Sequence, residues 1–334
     1  MRIVFMGTPD FAGGILQSLL DGGYDVIAVY TQPDRPQGRK AILTPPPVKV
    51  IAQQHNIPVY QPVRIRRDRW VGLLQEQKPD IIVVAAFGQI LPKSILDIAP
   101  CVNVHTSLLP RYRGSSPIQR AIASGDTETG VTIMRLDEGM DTGNILRQET
   151  IPIEDTDTGE SLFEKLAVLG QKALKTVLDE FAAGEELVGI PQDPELATYA
   201  PMLSREDGRL DFTRSAWLLD CQIRAFTPWP STYTMYDGKV LKILAGRVFK
   251  SGTGADGAFK GETDSDSAGR ACGQVLTQDE VRKTGGNAGK QILVQTGDGL
   301  LELLMLQLPG KKPLPSDVFL RGCPLWGKTL GDNP

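Results

Sequence analysis

Ile81-Ile82-Val83-Val84-Ala85-Ala86 and Cys101-Val102-Asn103-Val104-His105-Thr106-Ser107-Leu108-Leu109-Pro110 are the stretches whose reading decides the fold. Each opens as a short, nearly unbroken apolar run, the pattern of a strand covered on both faces in a parallel sheet. On a strand residues i and i+2 face the same way, so Asn103 and His105 point together. Outward from these runs, strand and helix signals alternate through residues 1–150: 2–6 as a strand, 9–20 as an amphipathic helix, 26–31 as the next strand. The expected class is α/β, with a Rossmann-like, doubly wound parallel sheet. Gly7-Thr8-Pro9 supplies a tight turn, but Gly-x-Gly-x-x-Gly is absent there, so a dinucleotide site is not indicated. In open sheets of this kind ligands sit at the carboxyl ends of the strands, where Asn103 and His105 fall.

Only two histidines occur in the 334 residues. His55 lies in the polar run Gln53-Gln54-His55-Asn56, the setting of a solvated loop or helix end, which leaves His105 as the catalytic imidazole. Asp137-Glu138-Gly139-Met140-Asp141-Thr142-Gly143 answers it with carboxylates in a loop that glycines allow to turn sharply. Carboxamide, imidazole and carboxylate are what attack by a neutral amine on a formyl or acyl carbon requires. The first two polarise the carbonyl and hold the developing oxyanion, and the third tunes the imidazole or relays the proton. The bland alternative is a satisfied core histidine at a strand end, and spacing alone does not separate Asp141 from Asp137. No serine or cysteine stands out as an activated nucleophile, so a covalent acyl-enzyme is not expected. No metal is expected either.

Asn-Val-His-x-Ser-Leu-Leu-Pro-x-x-Arg-Gly from Asn103, followed from Gly130 by Gly-Val-Thr-x-Met-x-x-Asp-x-Gly-x-Asp-Thr-Gly, resembles the signature of the 10-formyltetrahydrofolate-dependent formyltransferases. The similarity runs from about residue 1 to about residue 310. Met6-Gly7-Thr8-Pro9-Asp10-Phe11-Ala12, residues 31–39 and Arg224-Ala225-Phe226-Thr227-Pro228-Trp229-Pro230 are similar to the branch whose acceptor is methionyl initiator tRNA. The resemblance implies that Asn103, His105 and Asp141 are catalytic, that 10-formyltetrahydrofolate is the formyl donor, and that Ser107, Leu108, Leu109 and Pro110 line its site. Phe87, at the end of the preceding strand, is a further candidate for that pocket. The proline-stiffened, basic loop 33–47 is too long for an ordinary connection. By resemblance it meets the tRNA acceptor end, with Arg39, Lys40 and Arg35 as contacts. Water, a sugar amine or glycinamide ribonucleotide would keep the chemistry and change the acceptor. A binding module built on a degenerate enzyme is the rival of another class.

Apolar residues make up 41% of the chain, enough for two cores. A net charge of -4 excludes a protein that coats nucleic acid through a strong overall positive field, so tRNA contact falls to local patches and shape. Cys101, Cys221, Cys272 and Cys323 are too far apart for a Cys-x-x-Cys pair, which fits a reduced, cytoplasmic setting. There is no long apolar run and no leader, so neither membrane nor export is expected, and a monomer is the default. Residues 1–189 read as the catalytic domain, closed by a helix whose stripe is Leu162, Leu166, Leu169, Ala173, Val177 and Phe181. Residues 190–208, punctuated by prolines, read as a linker. Residues 209–334 read as a second domain of short strands at 231–236, 239–247, 291–296 and 299–307, joined by turns such as Asp237-Gly238. By resemblance this is an oligonucleotide-binding-like (OB-like) β-barrel that contacts tRNA. Residues 250–272 and 282–289, rich in small polar residues, read as flexible loops.

Overall fold

Seven strands form the central sheet: β1 (Arg2–Gly7), β2 (Asp25–Tyr30), β3 (Val59–Tyr60), β4 (Ile81–Ala85), β5 (Cys101–His105), β6 (Glu128–Arg135) and β7 (Ile145–Pro152). The computed structural model describes residues 1–38, 41–250 and 270–331; Arg39, Lys40 and most of the expected loop 250–272 lie outside the described residues. The spatial order is β7-β6-β5-β4-β1-β2-β3. The first five strands pair in parallel as 3-2-1-4-5, the doubly wound order. β6 and β7 depart from the all-parallel expectation, for both pair antiparallel at the edge. Residues 136–144 between them are fewer than the dozen or more that a parallel crossover needs.

β4 and β5 are buried along their whole length, as their apolar runs require. On one face Val4, Met6, Tyr30, Ile82, Val84 and Cys101 form a single buried cluster with Leu74 and Ile95. Leu74 and Ile95 come from α3 (Asp68–Gln77) and α4 (Lys93–Leu96), α1 (Asp10–Asp21) and α2 (Pro47–Gln54) being the first two helices. Because Cys101 belongs to that cluster, parity along β5 puts Asn103 and His105 on the same face and Val104 on the other. Val104 there meets a helix that follows α5 (Pro117–Ala123), namely α6 (Gly159–Ala182): a Cβ built on Gly170 would stand 2.9 Å from Val104 Cγ1. Helices therefore cover both faces. In α6 the expected stripe is buried at Leu162, Leu166, Ala173 and Val177 and half-buried at Leu169 and Phe181, with Leu174 and Leu178 completing it. Each such Leu removed from water contributes about 1.5–3 kcal/mol.

The chain divides into two compact units, Met1–Ile118 with Glu128–Pro152 and Ser161–Pro201, and Gln119–Thr127 with Ile153–Glu160 and Met202–Pro334. This is not a single cut between residues 189 and 209. Residues 190–201 are built into the first unit, and the turn after α5 joins the second, where Gly125 lies under the Trp217 ring and Arg120 pairs with Asp207 at 2.7 Å.

In the second unit α7 (Ala216–Ala225), capped by the Ser215 hydroxyl, packs Leu219 and Ile223 onto a sheet. Its strands are β8 (Thr232–Tyr236), β9 (Lys239–Val248), β10 (Ile292–Gln295), β11 (Leu300–Gln307) and β12 (Leu314–Pro315), in the order β8-β9-β11-β10 with β12 also on β11. All these pairings are antiparallel. Asp237 and Gly238 both take positive φ, the turn geometry that suits a two-residue hairpin. The expected barrel takes the form of this antiparallel sheet, with no ladder joining β8 to β10 among the described residues. Residues 282–289 are not wholly loop, because α8 (Gln278–Lys283) takes the first two. Its capping box, Thr277 with Glu280, satisfies the helix start and buries Val281. A last helix, α9 (Ser316–Gly322), adds Phe319 to the core. Arg224 is held by Asp220 and the Asp157 carbonyl and Phe226 is buried, so packing accounts for that part of the late motif. Among the described residues no helix is long and apolar enough to cross a membrane.

Candidate active site

β5 carries Asn103 and His105 to the carboxyl edge of the sheet, where they are 9% and 6% exposed. His105 Nε2 lies 3.0 Å from the Tyr112 carbonyl. A carbonyl oxygen can only accept, so in this arrangement Nε2 bears the hydrogen and Nδ1 is the edge that meets Asp141. Asp141 Oδ2 is 3.7 Å from Nδ1, close to the ring but beyond a hydrogen bond. The Asn103 carboxamide has no hydrogen-bond partner among the described residues. That leaves its donor and acceptor free to meet a ligand.

Asp141 reaches the imidazole through an irregular loop. Its own φ is +55°, and a Cβ on Gly143 would lie 1.7 Å from the Arg135 carbonyl, so only glycine lets the chain pass there. The Gly114 N–H donates to Asp141 Oδ2 at 2.8 Å. Residues Arg113–Gly114 pair in parallel with Tyr199–Ala200. Gly114 has φ +116°, and a Cβ on it would meet the Ala200 carbonyl at 2.7 Å. Gln192 completes the enclosure. Its Nε2 donates to the Asp141 and Gly143 carbonyls at 2.8 and 2.7 Å, and its Oε1 accepts from Arg113 Nε and Nη2 at 3.1 and 2.8 Å.

Sequence reasoning missed Gln192 and gave Arg113 no role. Gln192 stands in a segment without periodicity, and the polar pairing that gives it meaning spans 79 positions, which no local pattern encodes.

The loop after β5 is tied down by its own polar groups. Ser107 Oγ donates to the Arg111 carbonyl at 2.7 Å, the Leu109 N–H to Thr132 Oγ1 at 3.1 Å, and Gln148 Nε2 to the Leu109 carbonyl at 2.8 Å. Of the four residues expected against the folate, Ser107 and Leu109 are buried, while Leu108 and Pro110 are half-buried and keep surface to offer. Phe87 is 2% exposed and its ring belongs to the core under α3 and α4, so a ligand would meet its backbone, not its ring. Its carbonyl already accepts from Thr8 Oγ1 and Gln32 Nε2 at 3.2 Å.

Loop 33–47 is not shapeless. Arg35–Gln37 and Ile42–Thr44 pair as an antiparallel ribbon, with Arg35 exposed. At its foot Lys49 Nζ donates to both Asp34 oxygens at 2.8 Å and Gln61 Nε2 to one of them, which holds the Asp34 carboxyl below its ordinary range. Of the three expected tRNA contacts, Arg35 alone is described. A surface groove of about 420 Å³ lined by Lys78, Asp80, Ser94 and Asp97 lies at the amino ends of β4 and β5, away from the carboxyl edge that such sheets use for ligands.

The chain belongs to the formyl transferase family. Residues 1–178 match the formyl transferase model, and residues 202–324 match the model of the formyl transferase C-terminal domain. It is similar to the methionyl-tRNA formyltransferase of Geobacter sulfurreducens, 45% identical over 99% of this chain and 97% of that one. The methionyl-tRNA formyltransferase of Geotalea daltonii is 48% identical over 96% and 95%. Among solved structures the fold matches WlaRD, a sugar 3N-formyl transferase crystallised in the presence of dTDP and 5-N-formyl-THF, with a TM-score of 0.61 and 19% identity over 93% of this chain and 99% of that one. It also matches HypX from Aquifex aeolicus in complex with tetrahydrofolic acid, with a TM-score of 0.58 and 16% identity; 96% of this chain corresponds to 47% of HypX.

Proposed function

We propose that this formyl transferase moves the formyl group of 10-formyltetrahydrofolate onto the α-amino group of methionine esterified to initiator tRNA. The observation that carries the chemistry is the unpartnered Asn103 carboxamide beside a buried imidazole that is backed by Asp141. The amine lone pair attacks the formyl carbon, and the carbonyl electron pair moves onto oxygen. Asn103 donates an N–H to that oxygen as charge develops, while His105, whose Nε2–H is given to the Tyr112 carbonyl, serves the proton transfer. Collapse re-forms the carbonyl and breaks the bond from the formyl carbon to N10 of the folate. The proton shed by the attacking nitrogen passes to the His105–Asp141 pair and on to N10, which leaves as the N–H of tetrahydrofolate.

Transfer is direct. Ser107 Oγ is held by the Arg111 carbonyl, and burial pushes the Cys101 thiol up to about 12, which supports a route without a covalent acyl-enzyme. The half-buried Leu108 and Pro110 offer apolar surface for the pterin.

Likeness to methionyl-tRNA formyltransferases along nearly the whole chain, second unit included, supports the acceptor. Arg35, Arg39 and Lys40 grip the acceptor end, and the second unit contacts the tRNA body. The enzyme works as a monomer in the cytoplasm. The acceptor is tested by offering methionyl initiator tRNA, glycinamide ribonucleotide and a dTDP-linked amino sugar to the same enzyme and donor. Formylation of the tRNA alone is expected, and formylation of the amino sugar in its place would reassign the acceptor.

A further inference from the structure

Gln192 belongs to none of the motifs that mark this chain, yet its carboxamide is satisfied on every side. Two donor contacts reach the Asp141 and Gly143 carbonyls at 2.8 and 2.7 Å, and the acceptor oxygen takes two N–H groups from Arg113 at 3.1 and 2.8 Å. Arg113 is 6% exposed, and no carboxylate among the described residues neutralises its guanidinium. A buried cation on the oxygen of an amide polarises that amide and strengthens the bonds its nitrogen donates. We infer that Gln192 is a positioning residue for formyl transfer: anchored by Arg113, it clamps the backbone on both sides of Asp141 and keeps that carboxylate against His105.

Asp141 needs such a clamp. Its φ of +55° lies in the left-handed region, which Asp tolerates better than most residues but which hydrogen bonds on both sides here hold in place. The Gly114 N–H holds the carboxylate end of the residue and Gln192 holds the backbone end. Gly114 follows Arg113 directly and pairs with Ala200, so residues 113–114, 141–143 and 192–200 make one hydrogen-bonded unit. The segment after α6 is thus a brace for the catalytic loop. An amide is required at position 192, because two carbonyls need donors and a carboxylate has none.

The inference rests on the reading that Asp141 acts with His105, and its test separates the two. Steady-state formyl transfer is measured for wild type, Asp141→Ala, Gln192→Ala, Gln192→Glu and the Asp141→Ala/Gln192→Ala double variant, with circular dichroism and urea midpoints to follow the fold. Gln192→Ala is expected to lower kcat roughly 10- to 100-fold, the scale of a small misplacement in a catalytic group, with both KM values within about threefold. In the Asp141→Ala background the same change is expected to cost less than about twofold, since its effect runs through Asp141. Gln192→Glu keeps the size and the Arg113 contact without any N–H, and is expected to lose as much as Gln192→Ala. Should Gln192→Ala fail to fold, Gln192→Glu decides alone. Independent, multiplying losses, or wild-type kcat in Gln192→Glu, would overturn the positioning role while Asp141→Ala remains crippled. Wild-type kcat in Asp141→Ala would overturn the site reading itself, and the clamp with it.

Discussion

At His105 both ring nitrogens already face protein oxygens, Nε2 the Tyr112 carbonyl at 3.0 Å and Nδ1 the Asp141 carboxylate at 3.7 Å, whereas Asn103 faces none. The two residues therefore contribute differently. In the proposed mechanism Asn103 is the donor to the oxyanion, so Asn103→Ala is predicted to lower kcat about 10²- to 10³-fold with tRNA affinity nearly unchanged, as loss of one such donor does elsewhere. His105→Ala is predicted to collapse turnover with the same sparing of affinity; a near-normal rate in single-turnover kinetics would remove it from the mechanism. Gly114→Ala places a Cβ 2.7 Å from the Ala200 carbonyl at φ +116°. It is predicted to destabilise the protein by roughly 1–3 kcal/mol in urea unfolding and to lower activity at any urea concentration, because the Asp141 anchor moves with it. At this scale the site was legible in part. Strand parity and the scarcity of histidine pick out Asn103 and His105, while Asp141 separates from Asp137 only by resemblance. Gln192 leaves no local trace, since its partners lie 49, 51 and 79 residues away.

Among the elements, the strands and α6 follow from apolar periodicity because burial imposes it directly. The antiparallel direction of β6 does not, since a fully buried run looks alike in either orientation. The region 190–201 was equally opaque: pairing of Tyr199–Ala200 with Arg113–Gly114 rests on backbone hydrogen bonds, which carry no side-chain signature. The ribbon of Arg35–Gln37 and Ile42–Thr44 presents an exposed Arg35 on a foot clamped by Asp34, Lys49 and Gln61. Arg35→Ala and Arg39→Ala are predicted to raise KM for methionyl-tRNA with less effect on KM for folate, and each to flatten the salt dependence of tRNA binding by about one unit of slope. An unchanged tRNA profile would reduce the ribbon to a surface insertion.

For the whole molecule, two units with separate cores explain why 334 residues carry both a catalytic sheet and a second antiparallel sheet. The first core hides a titratable group with a measurable consequence. Burial pushes the Cys101 thiol up to about 12 from its ordinary 9.0, so between these values the unfolded chain releases a proton that the folded chain keeps. Stability is then fully present below pH 9 and falls as pH rises toward 12, and burial of the Tyr30 hydroxyl adds a loss of the same sign above pH 10. Urea midpoints are predicted to fall across pH 9–12 and to fall less steeply in Cys101→Ala. At pH 8 a thiol reagent is predicted to label exposed Cys272 in the native protein and Cys101 only after unfolding.

The most direct measurement is a rapid-quench single turnover with 10-formyltetrahydrofolate labelled in its formyl group, offered methionyl initiator tRNA, free methionine or no acceptor. The predicted result is label on the tRNA-linked methionine, none on the protein at any time, and none transferred in the other two reactions. Label bound to the protein before it reaches the tRNA would contradict direct transfer, and formate release without an acceptor would make the chain a hydrolase.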